Sequence, residues 1–131
     1  MSYLPPSPDY SIQTAKHDFS SVNVLALNTP YTLVPAMGTG KVVVPVSGFI
    51  NFTHVTTIYT NTTVYLGWGG ANQSIYPAAF LNSASNTLRH ITPISNSYPL
   101  NNSPFQIWAP VAPINGDGYF TIYLSYYILT L

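Results

Sequence analysis

Residues 119–131 read YFTIYLSYYILTL. Phe120, Ile122, Leu124, Tyr126 and Ile128 share one parity, the period of a β-strand with a buried face rather than of a helix. The opposite parity holds Tyr119, Thr121, Tyr123, Ser125, Tyr127, Leu129 and Leu131. That second face is aromatic and apolar where a strand facing water would carry charge. The strand is therefore expected to be covered on both sides. A further copy of the chain is the simplest second cover, because around a cyclic axis one patch satisfies itself in every subunit. Tyrosine suits such a contact, offering wide area and a hydroxyl that tolerates trapped water. Tyr119, Tyr123, Tyr127, Leu129 and Leu131 are the expected subunit interface.

The same period recurs upstream. In Lys41 to Thr53 the even positions are Val42, Val44, Val46, Gly48, Ile50 and Phe52, and the odd ones include Lys41, Ser47, Asn51 and Thr53. In Thr62 to Trp68 the inward set is Val64, Leu66 and Trp68. Tyr31 to Val34, Ile75 to Leu81, Thr87 to Ile91 and Phe105 to Ala109 are shorter strand candidates. Turn clusters separate them: Met37 to Gly40, Gly69 to Asn72, Ser95 to Asn102 and Asn115 to Gly118. Gly38-Thr39-Gly40 is expected to be a hairpin turn whose glycines supply positive φ, with Lys41 opening the next strand. Asp18 or Ser20 is placed to cap a short helix burying Phe19, Val22, Leu25 and Ala26, which Thr29-Pro30 would stop. Residues 1–15, with Pro5, Pro6 and Pro8, are expected to form an extended arm that cannot nucleate a helix, either a loose terminus or a strap docked on a neighbouring subunit. The expected fold is all-β: one jelly-roll-like β-sandwich over residues 16–131, of about eight antiparallel strands with one short helical turn near its N-terminus, assembled as a trimer.

Composition narrows the function. The chain has 131 residues, enough for one core, and 47% of them are hydrophobic, with eleven Tyr, six Phe and two Trp. Only 5% are charged and the formal net charge is zero, against about 25% charged residues in an average soluble domain. A free monomer of that kind has little colloidal protection, which again favours permanent self-association. Lys16, Lys41 and Arg89 are too few to neutralise a run of phosphates, so nucleic acid is not an expected partner. There is no Cys, so neither disulfides nor thiolate zinc sites arise. Met1 to Pro6 has neither the basic nor the apolar region of a signal peptide, and no apolar run has the roughly 18 residues of a membrane-spanning helix.

Candidate chemistry is sparse. The carboxylates are Asp9, Asp18 and Asp117, without any Glu. Asp18 with Asp117 is the one pair that could serve a glycosidase outside the arm, and each has a simpler role as helix cap or turn residue. His17, His54 and His90 lack metal-ligand spacing. Gly38-Thr39-Gly40-Lys41 fails the phosphate-loop pattern, which needs Gly at Pro35 and Ser or Thr at Val42. The sequons at Asn51, Asn61, Asn72 and Asn101 are a chance product of abundant Ser, Thr and Asn. Neither catalytic residue, metal nor cofactor is expected. Trp68, just before Gly69-Gly70, is a candidate stacking platform for a glycan, against its plainer reading as core.

The stretch VLALNTPYTLVPAMGTGKVVVPVSGFINF, with Leu27, Asn28, Pro30, Pro35, Ala36, Gly38, Gly40, Lys41 and Val42 to Val46, resembles a recurrent segment of small phage virion proteins. The ending, Asn115-Gly116-Asp117-Gly118 followed by an aromatic strand, is similar to that group as well. Together these cover about a third of the chain. The resemblance implies a small jelly roll in a phage particle, often trimeric: a capsid decoration protein, head fibre or tail-associated protein. It implies a virion location after synthesis in the host cytoplasm. The partners to expect are further copies of the chain and the major capsid protein or another virion protein. On this reading the arm, through Tyr3, Leu4, Pro5, Pro6, Pro8 and Tyr10, anchors a decoration protein that stabilises the capsid. The alternative is a receptor-binding or lectin-like module at a tail or fibre tip, holding host surface glycans through Trp68.

Overall fold

The long strands at 41–53 and 119–130 pair antiparallel along almost their whole length, from Lys41 opposite Thr130 to Thr53 opposite Tyr119. They are the spine of the molecule. The structure is a computed structural model and describes residues 10–69, 74–75, 79–92, 98–99 and 102–131. Within these residues the elements are β1 (Gln13–Phe19), α1 (Ser21–Leu25), β2 (Tyr31–Val34), β3 (Lys41–Thr53), β4 (Tyr65–Trp68), β5 (Ser74–Ile75), β6 (Thr87–Ile91), β7 (Phe105–Trp108) and β8 (Tyr119–Thr130).

Two four-stranded sheets form, ordered β1-β8-β3-β6 and β2-β7-β4-β5. Strand β1 pairs with β8, β2 with β7, β3 with β6 and β4 with β5, all antiparallel. This nesting is what results when one long, paired ribbon is rolled up, with its rungs alternating between two sheets. It defines the jelly roll, and the sandwich expected from the strand spacing is the observed one.

Between the sheets lies an aromatic-rich core. Phe19 stacks on Phe120 with centroids 4.6 Å apart, and Phe80 meets Phe120 edge-on at 5.0 Å. Leu66, Ile107, Ile50 and Ile122 are wholly buried. Among the described residues no polar or charged side chain is buried with them, so burial of apolar area, at about 25 cal/mol per Å², is the main stabilising term.

Four expectations are corrected. The arm was expected to reach residue 15, but Gln13, Thr14 and Ala15 already pair with Tyr126, Ser125 and Leu124. Ala15, His17 and Phe19 alternate toward the core, a period-two signal too short and too polar to stand out. The helix forms where expected, capped by Ser20, whose Oγ accepts the Asn23 amide while Asn23 Oδ1 accepts the Ser20 amide. Its buried face, however, is Val24 and Leu27, with Val22 and Leu25 in solvent. Starting the helix at Ser21 sets its rotation, and Phe19 belongs to the strand before it. The Gly38–Gly40 turn does have positive φ at both glycines, yet it joins β2 and β3, which lie in different sheets. It is a crossover between sheets rather than a hairpin.

The fourth correction concerns β3. A β-bulge between Pro45 and Ser47 leaves Val46 without a partner on β8. One extra residue reverses the parity. Gly48, Ile50 and Phe52 point inward as expected, but ahead of the bulge Val43 and Pro45 take the inward side. Val42 and Val44, opposite Leu129 and Tyr127, sit on the outer face.

Candidate interaction surfaces

The outer face of the β1-β8-β3-β6 sheet is built by the second parity of its two long strands. One cross-strand row runs over the whole sheet: Lys16 opposite Tyr123, Tyr123 opposite Phe49, and Phe49 opposite His90. The Lys16 ammonium lies 5.9 Å from the Tyr123 ring centre, and the Phe49 and His90 rings are 4.9 Å apart. Tyr123 and Phe49 are each 43% exposed, and Tyr119, Leu88 and Val46 are exposed around them. An exposed aromatic row is thus left in water, with Lys16 at its rim and Thr121, Asn51, Ser125 and Ser47 on the same face.

Of the five residues expected at a subunit interface, Tyr119, Tyr123 and Leu131 are exposed. Tyr127 and Leu129 are half-buried. They belong to the stretch ahead of the bulge, where Val42 and Val44 are buried on the same face, and Tyr10 packs on Tyr127 with centroids 5.6 Å apart. Tyr10 therefore covers part of one half of the face, and the half around Tyr123 and Phe49 is left open. The sequence reading missed Phe49, Leu88 and Val46. Phe49 was detectable, since it holds an odd position in β3 opposite the buried Gly48 and Ile50. Leu88 needed the register of β6, and Val46 needed the bulge. Of the expected arm contacts, Tyr3, Leu4, Pro5, Pro6 and Pro8 lie outside the described residues.

The sheet edge offers less to a partner than its face. Edge strand β6 points Arg89 to the same side as the half-buried Thr87 and the buried Ile91, with its Nε donating to the Ala79 carbonyl at 3.2 Å. A charge turned inward at an edge disfavours pairing with a further strand.

Trp68 does not provide a stacking platform. It is 2% exposed, its indole N–H donates to the Val43 carbonyl at 3.0 Å, and Tyr98 and Phe105 pack edge-on against it at 5.2 and 5.3 Å. The plainer reading, core, is correct, and the lectin-like alternative loses its anchor.

Asp18 and Asp117 line one open cleft of about 440 Å³ with Ser20, Ser21, Tyr119 and Thr121. Asp18 Oδ1 accepts the Thr121 hydroxyl at 2.6 Å. Asp117 accepts the Thr56 hydroxyl and the backbone amides of Thr57 and Thr56, the amides at 2.8 and 3.0 Å. Those bonds, the Thr56 hydroxyl first, hold its pKa down at about 2, with a smaller contribution from His54. A glycosidase pair needs one carboxyl that keeps its proton near neutrality. Asp117 cannot be that acid.

This carboxylate carries a pH signature. Its folded pKa lies below its unfolded value of 3.8, so its stabilisation is present above that value and is lost as pH falls through about 2. Asp117→Asn is expected to flatten the fall in urea midpoint between about pH 4 and pH 2. Parallel wild-type and variant midpoints over that interval would contradict the assignment.

Two of the histidines serve separate structural positions, while His54 Nδ1 is buried without a hydrogen-bond partner. His17 Nε2 donates to the Leu33 carbonyl at 2.8 Å and its Nδ1 lies 3.1 Å from the Tyr31 hydroxyl, tying β1 to β2. His90 Nδ1 lies 3.3 Å from the Thr92 hydroxyl. Among the described residues no three metal-ligating side chains come together. No helix among them is long and apolar enough to cross a membrane.

No family model and no curated protein matches the sequence. Two solved structures match the fold. A chain of the cyanophage Pam1 capsid asymmetric unit superposes with a TM-score of 0.55 at 12% identity, covering 97% of this chain and 93% of that one. A chain of the capsid of Ralstonia phage GP4 does so with a TM-score of 0.52 at 14% identity, covering 95% and 90%. At these identities the likeness is one of fold.

Proposed function

We propose that the chain is a non-enzymatic structural component of a phage-like particle, a capsid decoration or head-auxiliary protein that binds the assembled shell and reinforces it. The observation that carries this reading is the end-to-end match of its fold to chains from two phage capsids. A near-complete match in both directions favours a shared architectural role over a borrowed module, although fold alone does not fix function. The outer sheet face supports it independently. A charge-poor chain with an open aromatic face is suited to permanent assembly, and a cyclic trimer closed through Tyr119, Tyr123 and Phe49 buries that face in every copy. Residues 1–12, ahead of β1, serve as the anchoring segment, with Tyr10 packed on Tyr127 of β8.

The test is binding to shells. Purified protein mixed with empty shells of the virus that encodes it, lacking this component, is expected to co-sediment to saturation at a fixed ratio to the shell subunits. Specific capture of host glycans on an array with no shell binding would overturn the reading in favour of a receptor-binding role.

A further inference from the structure

Asn115 is the one asparagine in the chain that is followed by glycine. It is exposed and holds a left-handed backbone, with a φ of 69°. Its loop, residues 109–118 between β7 and β8, is clamped to the loop of residues 54–64 that follows β3. Ile114, just before it, exchanges backbone hydrogen bonds of 3.0 and 3.1 Å with Thr60. Two residues after it, the Asp117 carboxylate takes the Thr56 and Thr57 amides, and the Asp117 amide donates to the Thr57 carbonyl. Between these points Gly116 lies against the buried Tyr59 ring, whose hydroxyl donates to the Gly118 carbonyl at 2.6 Å. The Asn115-Gly116 peptide is thus strung between fixed anchors.

An Asn-Gly pair carries its own chemistry. The Gly116 backbone nitrogen has no side chain beside it to hinder attack on the Asn115 side-chain carbonyl carbon. The new C–N bond closes a five-membered succinimide, and the side-chain amide leaves as ammonia, taking up the Gly116 N–H proton through water. Water then opens the ring, at one carbonyl to aspartate and at the other to isoaspartate, whose backbone runs through the former side chain. Closure requires the Gly116 nitrogen to eclipse Cβ about the Asn115 Cα–C bond. For an L-residue with left-handed φ the allowed ψ is roughly +30 to +60°, which turns that nitrogen to the side opposite Cβ. Reaching the reactive rotamer means swinging Gly116 from beneath Tyr59 and pulling Ile114 or Asp117 off its partners.

We propose that Asn115 is a latent self-modification site, held unreactive by the closed loop clamp and released to form succinimide and isoaspartate when the clamp opens. Isoaspartate lengthens the backbone between Ile114 and Asp117, both of which are in register with the opposite loop. The clamp then cannot close as before, and a transient local opening becomes permanent. Asp117 is also followed by glycine, but it is ionised throughout the neutral range and both its oxygens accept hydrogen bonds, which makes its carboxyl a poor electrophile. The site needs only the folded chain and stands whether or not the particle role holds.

The experiment is peptide mapping of the full chain after incubation in mildly alkaline buffer, folded and unfolded in guanidinium chloride, with isoaspartate and the amide-to-acid mass change read at each asparagine. Asn115 is expected to be modified first in the unfolded chain, and at least about a hundredfold more slowly in the folded one, because reaction must await local opening. Asp117→Ser, which removes the acceptor of the Thr56 and Thr57 amides, should speed the folded-state reaction at least about tenfold while the circular dichroism spectrum remains that of the folded chain. Should that variant not fold, Thr56→Val makes the same comparison with one bond removed. Equal rates in folded and unfolded wild type would overturn the proposal. So would a folded, clamp-weakened variant as slow as wild type, or an unfolded chain in which another asparagine reacts first.

Discussion

Gly116→Ala is expected to lower folding stability by about 3 kcal/mol, the upper part of the range for overpacking a core. A Cβ at this position would lie 2.2 Å from Cγ and Cδ1 of Tyr59 and 2.4 Å from Cδ2. The ring cannot step aside, being 2% exposed and held by the bond from its hydroxyl to the Gly118 carbonyl. Burial of that phenol, with the Asp117 charge nearby, pushes its pKa up to about 12. Gly116 has no positive φ, so the whole cost is steric. Gly38→Ala is the opposite case: its Cβ would meet nothing within 4 Å, but its φ of 118° strains any side chain. Urea midpoints of the two variants separate these costs. Adding Tyr59→Leu to Gly116→Ala should recover part of the loss, since the obstructing ring is removed. If Gly116→Ala unfolds at the wild-type midpoint, Tyr59 is not fixed over the turn.

Phe49→Glu/Tyr123→Glu is expected to weaken self-association at least about a hundredfold, or about 2.8 kcal/mol. The two rings are adjacent across β3 and β8 and lie at the centre of the open face, where interface energy concentrates. Carboxylates there would have to be desolvated against copies of themselves. Both side chains point away from the core, so the folded monomer should survive. Tyr127→Glu is the control: Tyr10 already packs on that ring, and its effect on association should be much smaller. Equal loss in both variants would move the contact toward the covered half of the face.

The two long strands explain why much of the architecture was legible. Their period-two runs exceed any helical alternative, and Leu66 and Trp68 mark β4 by the same rule, although the strand opens at Tyr65 rather than Thr62. A sandwich of two sheets followed from strand number and spacing, whereas the order of the strands within them needed the pairings. What escaped depended on pairing rather than on pattern. The bulge at Val46 leaves no trace in composition, because Val42 to Val46 are apolar on either parity apart from Pro45's missing amide. It decides which valines face out, and so where the open surface stops. The register of β6 likewise decides that Leu88 joins Phe49. Trp68 was ambiguous because Gly69 follows it, and glycine-flanked tryptophans occur both in cores and at rims. The clamp around Asn115 was invisible for another reason: only the bonds of Asp117, Tyr59 and Thr60 bring its two loops together.

Sedimentation equilibrium of the full chain at micromolar concentration tests the claim on which the account depends, that the open sheet face is occupied by further copies. The predicted result is a single species of three times the 14.3 kDa chain mass, dissociated by Phe49→Glu/Tyr123→Glu. A folded wild-type monomer at those concentrations would contradict it.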